Sequence, residues 1–194
     1  MRQIVYVTGN ASKLFLARNV LKPLGYEVIG KKIENLPEIQ SDSIVEVAEA
    51  SSLYAAKKLK CAVMKNDSGL VIPALHGFPS AYSHYVEETL GADGILKLMD
   101  QVSNREAYFL DAFSITDEHF HTKTFTCKTM GKIALEKQGT YGHGYDDIFI
   151  PSGGKGTLST YPDEERWKLF NQDAFLELVK WLEEQEKNHS SDSE

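Results

Sequence analysis

Four short stretches carry residue types suited to phosphate and water chemistry. The first is Thr8-Gly9-Asn10-Ala11-Ser12-Lys13, which follows the β-branched, apolar run Gln3-Ile4-Val5-Tyr6-Val7 and opens a helical pattern. Glycine lets backbone approach a ligand. The first turn of a helix offers unpaired N–H groups and the positive end of its dipole. Lys13 adds a mobile cation and Asn10 a polar contact, so the stretch suits a phosphate group. It is not a GxxxxGK[ST] loop, and it also reads as an ordinary strand-to-helix turn capped by Asn or Ser. The second stretch, Asn66-Asp67-Ser68-Gly69, ends a short predicted strand, where α/β proteins tend to bind ligands. There Asp67 can hold a metal ion, activate water, or simply close an Asx turn. The third is Gly142-His143-Gly144-Tyr145-Asp146-Asp147. Its ring, glycines and paired acids suit base stacking and ribose binding; they equally suit a solvated turn with a surface histidine. The fourth, Leu36-Pro37-Glu38-Ile39-Gln40, places one carboxylate after a proline and reads on its own as a surface loop.

These stretches need elements to hold them. Residues 3–7 read as a buried strand. Leu14, Ala17, Val20 and Leu21 recur at helical spacing until Lys22-Pro23 and Gly25 stop the helix. A strand is predicted over residues 26–32. A long helix follows over 43–60, with Ser43 and Glu46 as a capping box. Short strands at 61–64 and 70–72 flank the Asn66–Gly69 stretch, and helices are predicted near 81–90 and 92–100. Over 106–134 the alternation of Tyr108, Leu110, Ala112 and Ser114 with Phe109, Asp111, Phe113 and Ile115 predicts a long hairpin. A glycine-rich loop at 139–147 leads to a strand at 148–150, and a last helix spans about 163–185. The order is mixed rather than strictly βαβ, so the expected fold is α/β, a mixed twisted sheet in two lobes around a central cleft. One domain over residues 1–186, its second lobe including the hairpin, is followed by a polar tail at 187–194, expected to be disordered.

Bulk properties narrow the function. The chain has 194 residues, 42 % apolar and 25 % charged, enough for a core. No apolar run approaches the roughly 18 residues needed to span a bilayer, and the N-terminus lacks a signal-peptide pattern, so a cytoplasmic protein is expected. The formal charge is −7 and the basic residues are scattered, which argues against a nucleic-acid partner. A free nucleotide remains compatible, because a metal ion offsets phosphate charge locally. Cys61 and Cys127 have no zinc or CxxC spacing and read as reduced thiols.

Taken in order, TGNxSK, LPEIQ, NDSGL, GFPxAYS and GxGYDxIFIP resemble the inosine triphosphate pyrophosphatase family (non-canonical purine NTP pyrophosphatases). The resemblance runs from about residue 3 to 182 and is strongest to the archaeal-type branch, through "GFPSAYS", "VEETLGADGILKLM" and "NREAYF". It implies a two-lobed homodimer that hydrolyses a nucleoside triphosphate to monophosphate and pyrophosphate with Mg²⁺. Typical substrates of the family are ITP, dITP and XTP. By position, Thr8, Gly9, Asn10 and Lys13 match the triphosphate loop, and Glu38 and Asp67 match metal ligands. Asp67, with Lys13 alongside, matches the catalytic acid. Ser68 and Gly69 continue that motif. His143, Gly144, Tyr145 and Asp146 match the base and sugar pocket.

The chain departs from the family pattern where function resides. The C-terminal Ser-His-Arg is replaced by the stretch Trp167–Ala174, and the lysine before it is Arg166. The acid before Asp67 is Asn66, and the glutamate three residues beyond Lys13 is Leu16. The lysine of the long helix is Leu53, the basic residue after Tyr-Ser is His84, and a glycine is Ser80. His143 stands at the aromatic position of the pocket turn. Each lost charge-assisted hydrogen bond to phosphate costs on the order of 1.5–3 kcal/mol; Lys65, Lys155 and Lys168 are the candidate replacements. Two alternatives follow: a paralogue acting on another phosphorylated compound, and a non-catalytic nucleotide-binding module.

Overall fold

The computed structural model describes residues 2–191, with side chains to residue 185. The opening apolar run forms β1 (Arg2–Val7), which buries Ile4 and Tyr6. Asn10 then caps α1 (Ala11–Leu21), its side-chain oxygen accepting the Lys13 N–H at 3.1 Å. Gly25, at φ 90°, turns the chain into β2 (Tyr26–Lys31), which pairs parallel to β1. Ser43 caps α2 (Ile44–Leu59) by accepting the Glu46 N–H at 3.2 Å. The Glu46 carboxylate accepts from Ser41 Oγ at 2.6 Å, so the expected capping box is half formed.

Beyond α2 come β3 (Val63–Val71), α3 (Ser83–Thr89) and α4 (Gly91–Leu98), then the hairpin β4 (Glu106–Thr116) and β5 (Thr122–Ile133), and β6 (Phe149–Pro151). The sheet order is β2-β1-β3-β4-β5-β6, with β1 parallel to β2 and β3 and the remaining pairs antiparallel. This is the expected mixed sheet. α1 and α6 (Asp173–Ser191) cover one face over Tyr6, Met64 and Phe113, with Phe175 of α6 against Phe113. α2 covers the other face through Ala55 and Ala56 against Val7 and Val63. A second core, around Leu70, Ile95, Ile133, Phe149 and Leu158, holds α3, α4 and the loops near β6.

Two expectations need correction. Within 61–72 there is one strand, β3, not two strands around a turn: β4 pairs with it from Val63↔Thr116 to Val71↔Tyr108, straight through Asn66–Gly69. No Asx turn forms at Asp67. The last helix is broken into α5 (Asp163–Arg166), a 3₁₀ turn at Trp167–Leu169, and α6. The break docks on β5: Asn171 N–H donates to Thr129 Oγ1 at 2.9 Å, and the Asn171 side chain accepts the Asp173 N–H at 2.8 Å, starting α6. The helix backbone then runs to Ser191, within the expected tail of 187–194, and residues 192–194 lie outside the described residues.

The strand order creates an opening. The chain leaves β1 for β2 on one side and returns for β3 on the other, a topological switch point. β1 meets β3 at one register position, Tyr6↔Met64, and a bridge at Val71↔Pro79 marks the far end. Among the described residues, β3 from Lys65 to Leu70 has no strand partner on its β1 side.

Candidate active site

A cleft of about 850 Å³ lies over this open edge. α1 contributes Asn10, Ser12, Lys13 and Leu16 from its cap and first turns, and the loop before α2 contributes Glu38. Because β3 is open here, side chains from both of its faces reach the cleft: Lys65 and Asp67 from one, Asn66 and Ser68 from the other. Phe109 and Phe113 of β4 with Trp167 and Phe170 form an aromatic wall.

Asp67 is the electrostatic centre. Its Oδ2 is buried with no hydrogen-bond partner among the described residues, whereas the carboxylate accepts the Ser68 backbone N–H. Burial, opposed by Lys13 and reinforced by Glu38, pushes its pKa up to about 6. Lys65 is held below the usual lysine range, first by burial and then by Lys13. Lys13, Lys65, Glu38 and Asp67 therefore share one field. Among the described residues neither ammonium is in an ion pair. No group of three or more His, Cys, Asp and Glu forms a ready metal cluster among them either. Two carboxylates suit Mg²⁺, which keeps several waters and takes its remaining ligands from phosphate. The unpartnered Asp67 oxygen beside Glu38 fits that ion.

The other expected residues separate into two groups. Asn10, Lys13, Glu38, Asp67, Ser68, Gly69, His143, Gly144, Tyr145 and Asp146 all line the cleft; Thr8 and Gly9 do not. Thr8 Oγ1 accepts the Asn10 N–H at 3.0 Å and so shapes the turn behind the cap. Gly69 is explained by packing, since a Cβ there would lie 2.2 Å from the Ser80 carbonyl oxygen. The Tyr145 ring is buried and its hydroxyl donates to Ser83 O at 2.8 Å. Asp146 accepts the His143 N–H at 3.2 Å and lies 3.8 Å from Arg166 Nε; burial raises its pKa. Arg166 is itself held by Asp163 and by Tyr161 O at 3.2 Å.

Of the three candidate replacement cations, only Lys65 lines the cleft; Lys168 sits 5.8 Å over the Trp167 ring. Leu16 and His84 do face the cleft, and Leu53 is not in its lining. The lining holds three basic side chains against seven carboxylates.

Sequence reasoning missed Asp111 and Tyr6. Tyr6 O–H donates to Asn66 Oδ1 at 2.7 Å, and Asn66 Nδ2 donates to Ser68 Oγ at 3.0 Å and Asp111 Oδ1 at 3.5 Å. Ser68 Oγ donates to Asp111 Oδ1 at close range. Burial is the main cause that raises the Asp111 pKa. The available signal was an acid on the Phe109–Phe113 side of an amphipathic strand, a position where carboxylates are rare unless paired.

Comparison with known proteins agrees with this architecture. The model of the Ham1 family matches residues 4–181. The chain is similar to the dITP/XTP pyrophosphatase of Thermococcus kodakarensis, 39 % identical over 183 residues, covering 94 % of this chain and 98 % of that protein. It is also similar to the dITP/XTP pyrophosphatase of Methanosarcina mazei, 40 % identical over 181 residues, covering 91 % and 97 %. Among solved structures, a HAM1 protein from Coxiella burnetii superposes with TM-score 0.78 at 26 % identity, covering 95 % of this chain and all 100 % of that one. The Staphylococcus aureus Ham1 protein does so with TM-score 0.75 at 30 % identity, covering 95 % and 100 %. The chain belongs to the Ham1 family.

Proposed function

We propose that this chain hydrolyses nucleoside triphosphates, non-canonical purines of the dITP and XTP type foremost, to the monophosphate and pyrophosphate. The observation that carries the reading is the Asp67 carboxylate. Among the described residues one of its oxygens is buried without a hydrogen-bond partner, in one field with Glu38 and with two ammonium groups that form no ion pair. Asp67 and Glu38 would hold Mg²⁺, which when bound supplies positive charge against the phosphate oxygens. Lys13 and Lys65 offset the remaining charge, and the first turn of α1 presents its dipole to the phosphates. A water oxygen attacks the α-phosphorus, its proton passes to the Asp67 carboxylate, and the α–β bridging bond breaks with its electron pair leaving on pyrophosphate. The aromatic wall takes the base and excludes water. In this reading the protein is a cytoplasmic homodimer; among the described residues no helix is long and apolar enough to cross a membrane.

Pyrophosphate release from ITP, dITP, XTP, dUTP and the four standard dNTPs tests the reading, with release from at least one 6-oxopurine triphosphate expected. Absence of release from every one, with Mg²⁺ or Mn²⁺, would overturn it. The acidic excess of the cleft and the absent Ser-His-Arg favour a second reading, a less highly charged phosphorylated substrate. A thermal-shift screen of nucleotides and sugar phosphates decides it, since the largest stabilisation would then come from something other than a purine triphosphate.

A further inference from the structure

Asp67 is flanked in sequence by two side chains that leave the opposite face of β3, and both are pinned. Asn66 is held on one side by the Tyr6 hydroxyl of β1 at 2.7 Å. Ser68 is held on the other by Asp111 of β4, its direct partner in register. The donors run one way: Tyr6 to Asn66, Asn66 to Ser68, and both Asn66 and Ser68 to Asp111. Both bonds to Asp111 use Oδ1. The chain therefore ends on a carboxylate and has a single polarity. Ser68 then connects the two faces, because its backbone N–H donates to Asp67.

We propose that Asp111 is a positioning residue for Asp67, a carboxylate on β4 that fixes Asn66 and Ser68 on either side of it. It acts through Ser68, and the proposal rests on the reading of Asp67 as the reactive carboxylate. Losing such a supporting carboxylate typically costs about 10- to 100-fold in activity or metal affinity. An exchange of the two side chains separates this role from mere packing. Asn66→Asp alone sets two carboxylates within hydrogen-bond range of one another. Asp111→Asn alone leaves none on that face. Together they restore one carboxylate with its donors.

The experiment compares wild type, D111N, N66D and the double variant by kcat and KM for pyrophosphate release. It also measures the melting-temperature shift produced by a non-hydrolysable nucleoside triphosphate with Mg²⁺. The expected result is kcat/KM lower by about 10- to 100-fold in D111N, and the double variant within about fivefold of wild type. In the shift assay D111N loses most of the effect and the double variant regains it. Unchanged kcat/KM in D111N, or a double variant no better than D111N, overturns the proposal while leaving the pyrophosphatase reading intact. A wild type that shows the shift but no turnover overturns that reading instead, and the proposal then stands or falls on the shifts of the four proteins. A wild type with neither overturns both.

Discussion

At the scale of single residues, the proposed site rests on one half-buried carboxylate and two cations that form no ion pair among the described residues. Asp67→Asn keeps the shape and the acceptor for the Ser68 N–H but removes the proton acceptor. It is expected to lower kcat by about 10²- to 10⁴-fold, measured by pyrophosphate release. Lys65 and Lys168 give a contrast that sequence alone could not order. Lys65 shares the field of Lys13, Glu38 and Asp67, whereas Lys168 stacks on Trp167 outside the cleft lining. Lys65→Gln should raise KM by about 10-fold or more, the loss of one charge-assisted bond, and Lys168→Gln should leave it within about twofold. Equal effects would remove Lys65 from the phosphate site. The residues legible in the sequence were those in contiguous motifs: Lys13, Glu38, Asp67, Tyr145 and Asp146. Asp111 and Tyr6 were not, because each contributes through a cross-strand partner, and register is invisible until strand order is known.

At the scale of elements, long alternation was a reliable guide and local propensity was not. The 106–134 hairpin forms as expected because eleven residues of alternating character leave one register that buries Phe113 and Ile115 and half-buries Phe109. Asn, Asp and Gly disfavour strands, so propensity alone splits β3. The β4 ladder overrides that preference and carries the backbone straight through. Helical periodicity likewise ran across residues 163–185, yet the Asn171 anchor on β5 interrupts it. Gly69 shows what the continuous strand requires. It lets the Ser80–Ser83 turn close on β3, where Leu70 N–H donates to Ser83 Oγ at 2.8 Å. Gly69→Ala forces a Cβ to within 2.2 Å of Ser80 O and 2.8 Å of Ile44 Cδ1. Overpacking of this kind costs about 1–3 kcal/mol. A urea titration should show the midpoint falling with an unchanged slope, and an unchanged midpoint would mean that the turn moves away freely.

At the scale of the molecule, the switch point concentrates carboxylates where a phosphate ligand would bind, and the fold itself bears the cost. Asp67, Asp111 and Asp146 all have raised pKa values, each with burial as the first cause. A carboxyl whose folded pKa lies above its unfolded value of about 4 holds its proton more tightly when folded. Its stabilising contribution is complete below that unfolded value and is lost as pH rises through the folded value. For Asp67 the window is therefore from about 4 to about 6. In EDTA, the melting temperature should fall as pH rises from 5 to 8. Asp67→Asn should remove part of that fall and melt higher than wild type at pH 8, by roughly 1–3 kcal/mol of stability. Added Mg²⁺ should stabilise wild type at pH 8 by mass action and do much less for the variant, which lacks the ionised ligand. If the two proteins respond equally to Mg²⁺, the ion binds elsewhere and the reading of Asp67 and Glu38 as its holders fails. If the EDTA curve is flat, the buried carboxylates keep their charge without strain, and the unpartnered oxygen of Asp67 carries no stored preference for a cation.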